Sequence, residues 1–222
     1  MSAATPAAPE AVLFDLDGTL IDSAPGILAS FEAALRATGL KPAVPMSTSL
    51  IGPPLAKTVA TVLGRDDPAA VGAMVAAFLA DYDVSGYRAT AVYEGVPEML
   101  DALARSGIAL HIVTNKRIAP TRLILDHLGW TPRFAGIYAL DALQPPAPHK
   151  PALVGEVLRL ERIAAERAWM VGDSAEDRRA AETHALRFFG AGWGYGAGYG
   201  PTAAGRGLRR PAELLAALPH AS

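Results

Sequence analysis

An apolar run that stops abruptly at two acids constrains this chain more than any other feature. Ala11-Val12-Leu13-Phe14 reads as a buried strand, and Asp15-Leu16-Asp17-Gly18-Thr19-Leu20 follows at once, with Gly18-Thr19 marking the turn. Two carboxylates placed where a strand leaves a core are costly to bury unless a cation or a proton intervenes. The arrangement recurs downstream. Ala168-Trp169-Met170-Val171 is a second short apolar run, and Gly172-Asp173-Ser174-Ala175-Glu176-Asp177 follows it directly. Between the two acidic clusters, Ile108–Val113 ends in Thr114-Asn115-Lys116, and a lysine stands in Pro148-His149-Lys150-Pro151. Three of these four pieces fall at the carboxyl ends of predicted strands, where open α/β sheets bind their ligands.

The spacing of elements supports that class. After residue 90, strand and helix signals alternate, which predicts a parallel sheet with crossover helices. Pro97 opens a helix ended by Gly107, and Pro120 begins another stopped by Gly129. Further helices are expected over 151–160, 176–185 and 211–218, and strands over 136–140, 169–172 and 186–189. Residues 23–87 break the rhythm. Ser23 is placed to cap a helix carrying Ile27, Phe31 and Leu35, ending near Gly39. A second helix spans Leu55–Leu63, and Asp66-Asp67-Pro68 starts a third with Val71, Val75, Phe78, Leu79 and Tyr82 along one side. An all-helical insert of about 65 residues, placed straight after the first acidic strand end, predicts a lid beside the site. The expected organisation is an α/β core over 1–22 and 88–222 with a helical cap over 23–87.

Composition excludes several classes. The 222 residues are 51% hydrophobic and 19% charged, an ordinary globular balance. A net charge of −2, without a long basic run, argues against nucleic acid as a partner; Arg206, Arg209 and Arg210 read as solvated surface. The absence of cysteine removes disulfides, thiolate metal sites and a thiol nucleophile. No apolar run reaches the ~20 residues of a membrane span. The Ala- and Pro-rich start, Met1–Pro9, reads as a frayed tail rather than a secretory signal, and a cytoplasmic address is expected by exclusion. Gly190–Gly200 alternates glycine with other residues but holds no dinucleotide fingerprint, and it reads as a loop edging the sheet.

The set Asp15-x-Asp17-Gly18-Thr19, Thr114-Asn115, Lys150 and Gly172-Asp173-x-x-x-Asp177 resembles, in order and spacing, the four motifs of the haloacid dehalogenase superfamily of phosphohydrolases. Asp22-Ser23-Ala24-Pro25-Gly26, Ile51-Gly52-Pro53-Pro54-Leu55 and Tyr93-Glu94-Gly95-Val96-Pro97 are most similar to its phosphoglycolate phosphatase and 5'-nucleotidase-like branch. The resemblance implies a Rossmann-like parallel sheet with a helical cap, and it implies hydrolysis of a small phosphate ester. Asp15 is then the nucleophile and Asp17 the acid and base. Thr114 and the amide of Asn115 meet a phosphate oxygen beside Gly18, and Lys150 neutralises the phosphate. The resemblance places a cation on the side chains of Asp15 and Asp173 and the carbonyl of Asp17, with Asp177 orienting Lys150 or a bound water, or serving as a first-turn acid of its helix. Oxygen-only ligands point to Mg²⁺. Lys57, Thr58 and Arg65 in the cap are candidates for gripping the leaving group, and Phe31 and Leu55 read as core. The second acid of the first motif argues against dehalogenation. A 5'-nucleotidase, a pyrophosphatase, a phosphosugar mutase and a binding module that lost activity all stay open, as does monomer against homodimer.

Overall fold

The computed structural model of the protein describes residues 8–196 and 206–219. The strands are β1 (Ala11–Phe14), β2 (Ile21–Asp22), β3 (Ala91–Val92), β4 (Ala109–Thr114), β5 (Gly136–Ala139), β6 (Ala168–Gly172), β7 (Arg187–Ala191) and β8 (Arg206–Leu208). The α-helices are α1 (Ala24–Thr38), α2 (Leu55–Leu63), α3 (Pro68–Tyr82), α4 (Val96–Arg105), α5 (Ile118–His127), α6 (Lys150–Glu161), α7 (Ala175–Thr183) and α8 (Ala212–Leu215). Six strands form one sheet in the order β5-β4-β1-β6-β7-β8, with every neighbouring pair parallel. β1 sits in the middle, with Phe14 level with Ile112 on one side and Val171 on the other. All four of its residues are buried, as a strand covered on both faces demands, and this is why its sequence is a continuous apolar run rather than an alternation.

Because β4 and β6 leave β1 in opposite directions, the chain reverses its winding there, and the carboxyl ends of these three strands open a crevice. Asp15, Thr114 and Asp173 stand at those three ends. Apolar side chains fill both faces of the sheet. Phe14, Ile112, Val171 and Phe189 belong to one cluster, and Leu13, Val113, Met170 and Leu153 to the other.

Helices α1, α2 and α3 lie between β2 and β3, which pair antiparallel at the base of the insert with Ile21 opposite Val92. The helix α1 ends at Gly39 in a left-handed conformation, and the Asp67 carboxylate caps α3 through the Ala70 amide, a bond of the kind that contributes about 1 kcal/mol. Phe31, Phe78 and Tyr82 pack in sequence, with ring centroids 4.5 and 5.2 Å apart, and join α1 to α3.

Several boundaries differ from the sequence reading. The strands β2 and β3 are two residues long, too short to leave a periodic signal. Helix α5 starts two residues before Pro120, and β8 adds a strand beyond the expected last one. Ser23 occupies the cap position of α1 but makes no capping bond, because its hydroxyl is held by Asp17 instead. Residues 1–7 and 197–200, including part of the expected tail and of the glycine-rich stretch, lie outside the described residues.

Candidate active site

The turn after β1 is built to bring backbone close to an acid. Gly18 has a φ of +82°, and a Cβ there would stand 2.2 Å from an oxygen of Asp173. Glycine is required on both counts. The turn carries Asp15 and Asp17 toward one hollow, where Lys150, Asp173, Ser174 and Asn115 also face. One carboxylate oxygen each from Asp15, Asp173 and Asp177 lies within 4.8 Å of the others.

Lys150 neutralises part of that charge. Its ammonium is 2.5 Å from Asp15 Oδ1 and also pairs with Asp177. The lysine is 2% exposed and Asp177 is completely buried, so each requires the other. Burial works against the lysine's charge, but Asp15 and Asp177 outweigh it and hold its pKa above the ordinary value. Lys150 is the first residue of α6, not part of a loop as its prolines suggest. His149 caps that helix, its Nδ1 accepting from the Ala152 amide at 3.1 Å. The helix start, rather than a rigid loop, aims the ammonium.

Asp177 has a second task. Its carboxylate accepts from the Ser174 amide at 3.0 Å and the Ser174 hydroxyl at 2.6 Å, while the Ser174 hydroxyl accepts from the Asp177 amide. This reciprocal capping starts α7 and leaves the other Asp177 oxygen for Lys150. Asp173 accepts from the amides of Tyr195 and Gly196 at 2.7 and 3.2 Å.

The acids still carry more negative charge than one ammonium balances. Burial first, then the neighbouring carboxylates, push Asp15 up to about 8 and Asp173 up to about 6. Asp15 is ionised at neutral pH only beside a further cation. Hard oxygen donors gathered this closely fit a hard divalent cation, with its remaining positions left to water or phosphate.

Beyond this hollow the crevice continues into a chamber of about 80 Å³, roofed by α1, α2 and α3. Asp15, Asp17 and Thr114 form its floor, and Phe31, Leu50, Leu55, Phe78 and Tyr82 line its walls. Thr114 is buried and its hydroxyl oxygen accepts from the Lys116 amide at 3.1 Å, which leaves the hydroxyl proton to be donated. Phe31 and Leu55 are therefore packed residues and chamber walls at once. Thr58 also borders the space, but its hydroxyl points at the carbonyls of Leu50 and Pro53. Lys57 and Arg65 are exposed and border neither the hollow nor the chamber. The buried face of α2 carries Thr58, Val59, Val62 and Leu63, so these two cations fall outside it.

Three contributors escaped the sequence reading, and Asn115 does more than that reading expected. Lys116 is buried with its ammonium 3.0 Å from Asp17 Oδ1 and 4.8 Å above the Tyr82 ring. The Ser23 hydroxyl donates to the same Asp17 oxygen at 2.5 Å. Asn115, expected to act through its backbone, also uses its side-chain amide, donating to the Gly52 carbonyl at 2.9 Å and to Glu176 at 2.6 Å. Tyr195 donates its hydroxyl to Asp22 at 2.7 Å and accepts from the amides of Ser23 and Ala24. The described part of the glycine-rich stretch is thus tied to the first motif rather than loose, with Trp193 Nε1 donating to the Thr19 carbonyl.

The comparisons agree with this geometry. Residues 12–191 match the haloacid dehalogenase-like hydrolase family. The phosphoglycolate phosphatase of Xylella fastidiosa (strain 9a5c) is 36% identical over 195 residues, covering 84% of this chain and 82% of that protein. The tyrosine-protein kinase PtkA of Mycobacterium tuberculosis is 34% identical over 190 residues, or 85% of this chain; the match spans only 64% of that protein's length. Among solved structures, the haloacid dehalogenase-like family hydrolase SP0104 from Streptococcus pneumoniae superposes with a TM-score of 0.81 at 27% identity, covering 94% of this chain and 97% of that one. With its parallel sheet, its acids at the strand ends and a match over most of its length, the chain belongs to the haloacid dehalogenase-like hydrolase family.

Proposed function

We propose that the protein is a Mg²⁺-dependent phosphatase that hydrolyses a small phosphate monoester through an aspartyl-phosphate on Asp15. Residues 1–22 and 88–222 then serve as the catalytic core and 23–87 as its cap. The observation that carries the reading is the placement of Asp15: a buried carboxylate at the end of the central strand, paired with Lys150 and gathered with Asp173 and Asp177. The relative named phosphoglycolate phosphatase supports it.

Phosphate ester hydrolysis needs strong stabilisation of the transferring group's oxygens, which positioned cations and donors provide. Lys150 and the Thr114 hydroxyl supply two such contacts. Mg²⁺, held by Asp15, Asp173 and the Asp17 carbonyl, would add positive charge at the phosphoryl oxygens. An Asp15 oxygen attacks phosphorus as the bond to the leaving oxygen breaks, and Asp17 gives that oxygen its proton. Asp17 then takes a proton from water as the water oxygen attacks phosphorus, and the Asp15–phosphorus bond breaks to release inorganic phosphate. Lys116 and Ser23 fix where the Asp17 carboxyl points during both proton transfers. Closure of the helical insert over the crevice would exclude water from the first step.

The test is phosphate release from 4-nitrophenyl phosphate with and without Mg²⁺. Turnover abolished by EDTA and by Asp15→Asn supports the proposal; turnover that survives either treatment contradicts it. No turnover with any phosphate ester would favour a binding module.

A further inference from the structure

The chamber above Asp17 has the chemistry of a receptor for one kind of leaving group. Its walls are apolar, and the rings of Phe31, Phe78 and Tyr82 form a continuous aromatic side. Two cations border it, and both are already engaged. Lys116 pairs with Asp17 at 3.0 Å, and Arg117 Nη2 is 2.6 Å from each oxygen of Asp83. The nearby cap cations Lys57 and Arg65 lie outside it. Among the described residues, a carboxylate entering here would meet no unneutralised positive charge, and it would be pressed against apolar surface beside the Asp17 carboxylate. Burying an anion under those conditions is strongly unfavourable.

Polar partners are scarce as well. The Thr58 hydroxyl and the Asn115 amide nitrogen are used within the protein. What is left includes the Asn115 side-chain oxygen and the Tyr82 hydroxyl, the latter buried at a residue only 2% exposed and, among the described residues, near the Lys116 ammonium but without a well-formed hydrogen bond. An unpaired buried hydroxyl is costly, and a ligand group that meets it recovers that cost. Burial also keeps the phenol protonated, so it is a neutral donor and acceptor. A sugar or nucleoside, with several hydroxyls to satisfy, would lose more hydrogen bonds to water than this wall returns.

Resting on the phosphatase reading, we propose that the physiological substrate is a phosphate monoester of an uncharged alcohol with an apolar body, aryl-bearing or branched alkyl. A single hydroxyl or carbonyl on that body would reach Tyr82. This departs from a phosphoglycolate-type substrate, whose leaving group is an anion.

Benzyl phosphate and 2-phosphoglycolate test it, because both release a primary alkoxide and differ in what enters the chamber. With the full chain and Mg²⁺ at pH 7, kcat/KM for benzyl phosphate should exceed that for 2-phosphoglycolate by about tenfold or more, the scale on which an apolar pocket discriminates. Equal values, or a preference for 2-phosphoglycolate, overturn the assignment while leaving the phosphatase reading intact. Calorimetric binding of both esters to the Asp15→Asn protein separates the two ideas. Tighter binding of benzyl phosphate supports the chamber assignment even if no ester is turned over by the wild type, a result that would sink the phosphatase reading alone. Tighter binding of 2-phosphoglycolate overturns the assignment.

Discussion

The two halves of the crevice solve opposite problems. On one side, proposed to hold phosphate, Asp15, Asp173 and Asp177 crowd around Lys150, every group ionisable and nearly all of it buried. On the leaving-group side, aromatic and aliphatic side chains from the insert enclose a space whose bordering cations are already neutralised within the protein. The first half is held by strand ends and helix starts, with bonds that leave little freedom. The second rests on packing between helices, with polar groups turned away into backbone carbonyls or, at Tyr82, left open. On the proposed reading the difference teaches a division of labour: rigid charge would recognise what every phosphate ester shares, and apolar shape would recognise what distinguishes one ester from another.

The sharpest way to break the comparison is on the charged side. Replacing Asp15 by Asn removes the proposed nucleophile while keeping its size, and kcat should fall by ~10³-fold or more, measured by phosphate release. The next effect concerns stability. In Lys150→Ala, Asp15 and Asp177 lose their shared ammonium, and urea unfolding should report a loss of about 3–5 kcal/mol, the cost of breaking a buried ion pair. If the variant unfolds at the same urea concentration as wild type, the pairing is not what holds this half together.

Proton linkage sharpens the same point. Burial raises Asp15 to about 8 from its ordinary value near 3.8. A carboxyl raised on folding contributes stability that is present below its unfolded pKa and lost as pH rises through the folded one. His111, buried in β4 with its pKa lowered by that burial, has the opposite sign: its contribution is present above its ordinary value of 6.5 and lost below it. Between pH 6.5 and 8.5 the Asp15 effect therefore dominates. The metal-free protein should lose a few degrees of Tm across that window, and saturating Mg²⁺ should remove the slope. A flat Tm profile without metal would contradict it.

Tyr195→Phe should cost about 1–3 kcal/mol, since the Asp22 carboxylate loses a donor and the Ser23 and Ala24 amides lose an acceptor. The smallest effects belong to the cap cations. Lys57→Ala and Arg65→Ala should each change kcat/KM by less than about twofold, because exposed side chains outside the chamber contribute little to binding. A tenfold loss in either would mean that the insert closes much further than the arrangement here.

The sequence made the charged half readable for a physical reason. Asp15, Thr114 and Asp173 each follow a run of apolar residues, and a buried strand that ends in a polar group marks its own terminus. Gly18 was legible as a turn, though not as the residue that lets Asp173 approach the backbone. Lys150, singled out from the sequence, lies at the same hollow at the start of a helix. The apolar half was less readable, since Phe31 and Phe78 have the spacing of ordinary core and nothing local says that they also face a cavity. Lys116, Ser23 and Tyr195 stayed hidden because their partners are fixed by tertiary structure, Lys116 standing 99 positions from Asp17 along the chain and Tyr195 172 from Ser23. Lys57 and Arg65 were chosen for charge alone; Lys57 lies off the buried face of α2, and Arg65 lies beyond that helix's end.

The most direct test is diffraction from crystals grown with Mn²⁺, as a visible substitute for Mg²⁺, and a phosphate analogue. The account predicts anomalous density about 2.1–2.3 Å from oxygens of Asp15 and Asp173, with the analogue touching both Lys150 and Thr114. A metal bound elsewhere, or an analogue seated away from Lys150, would contradict it.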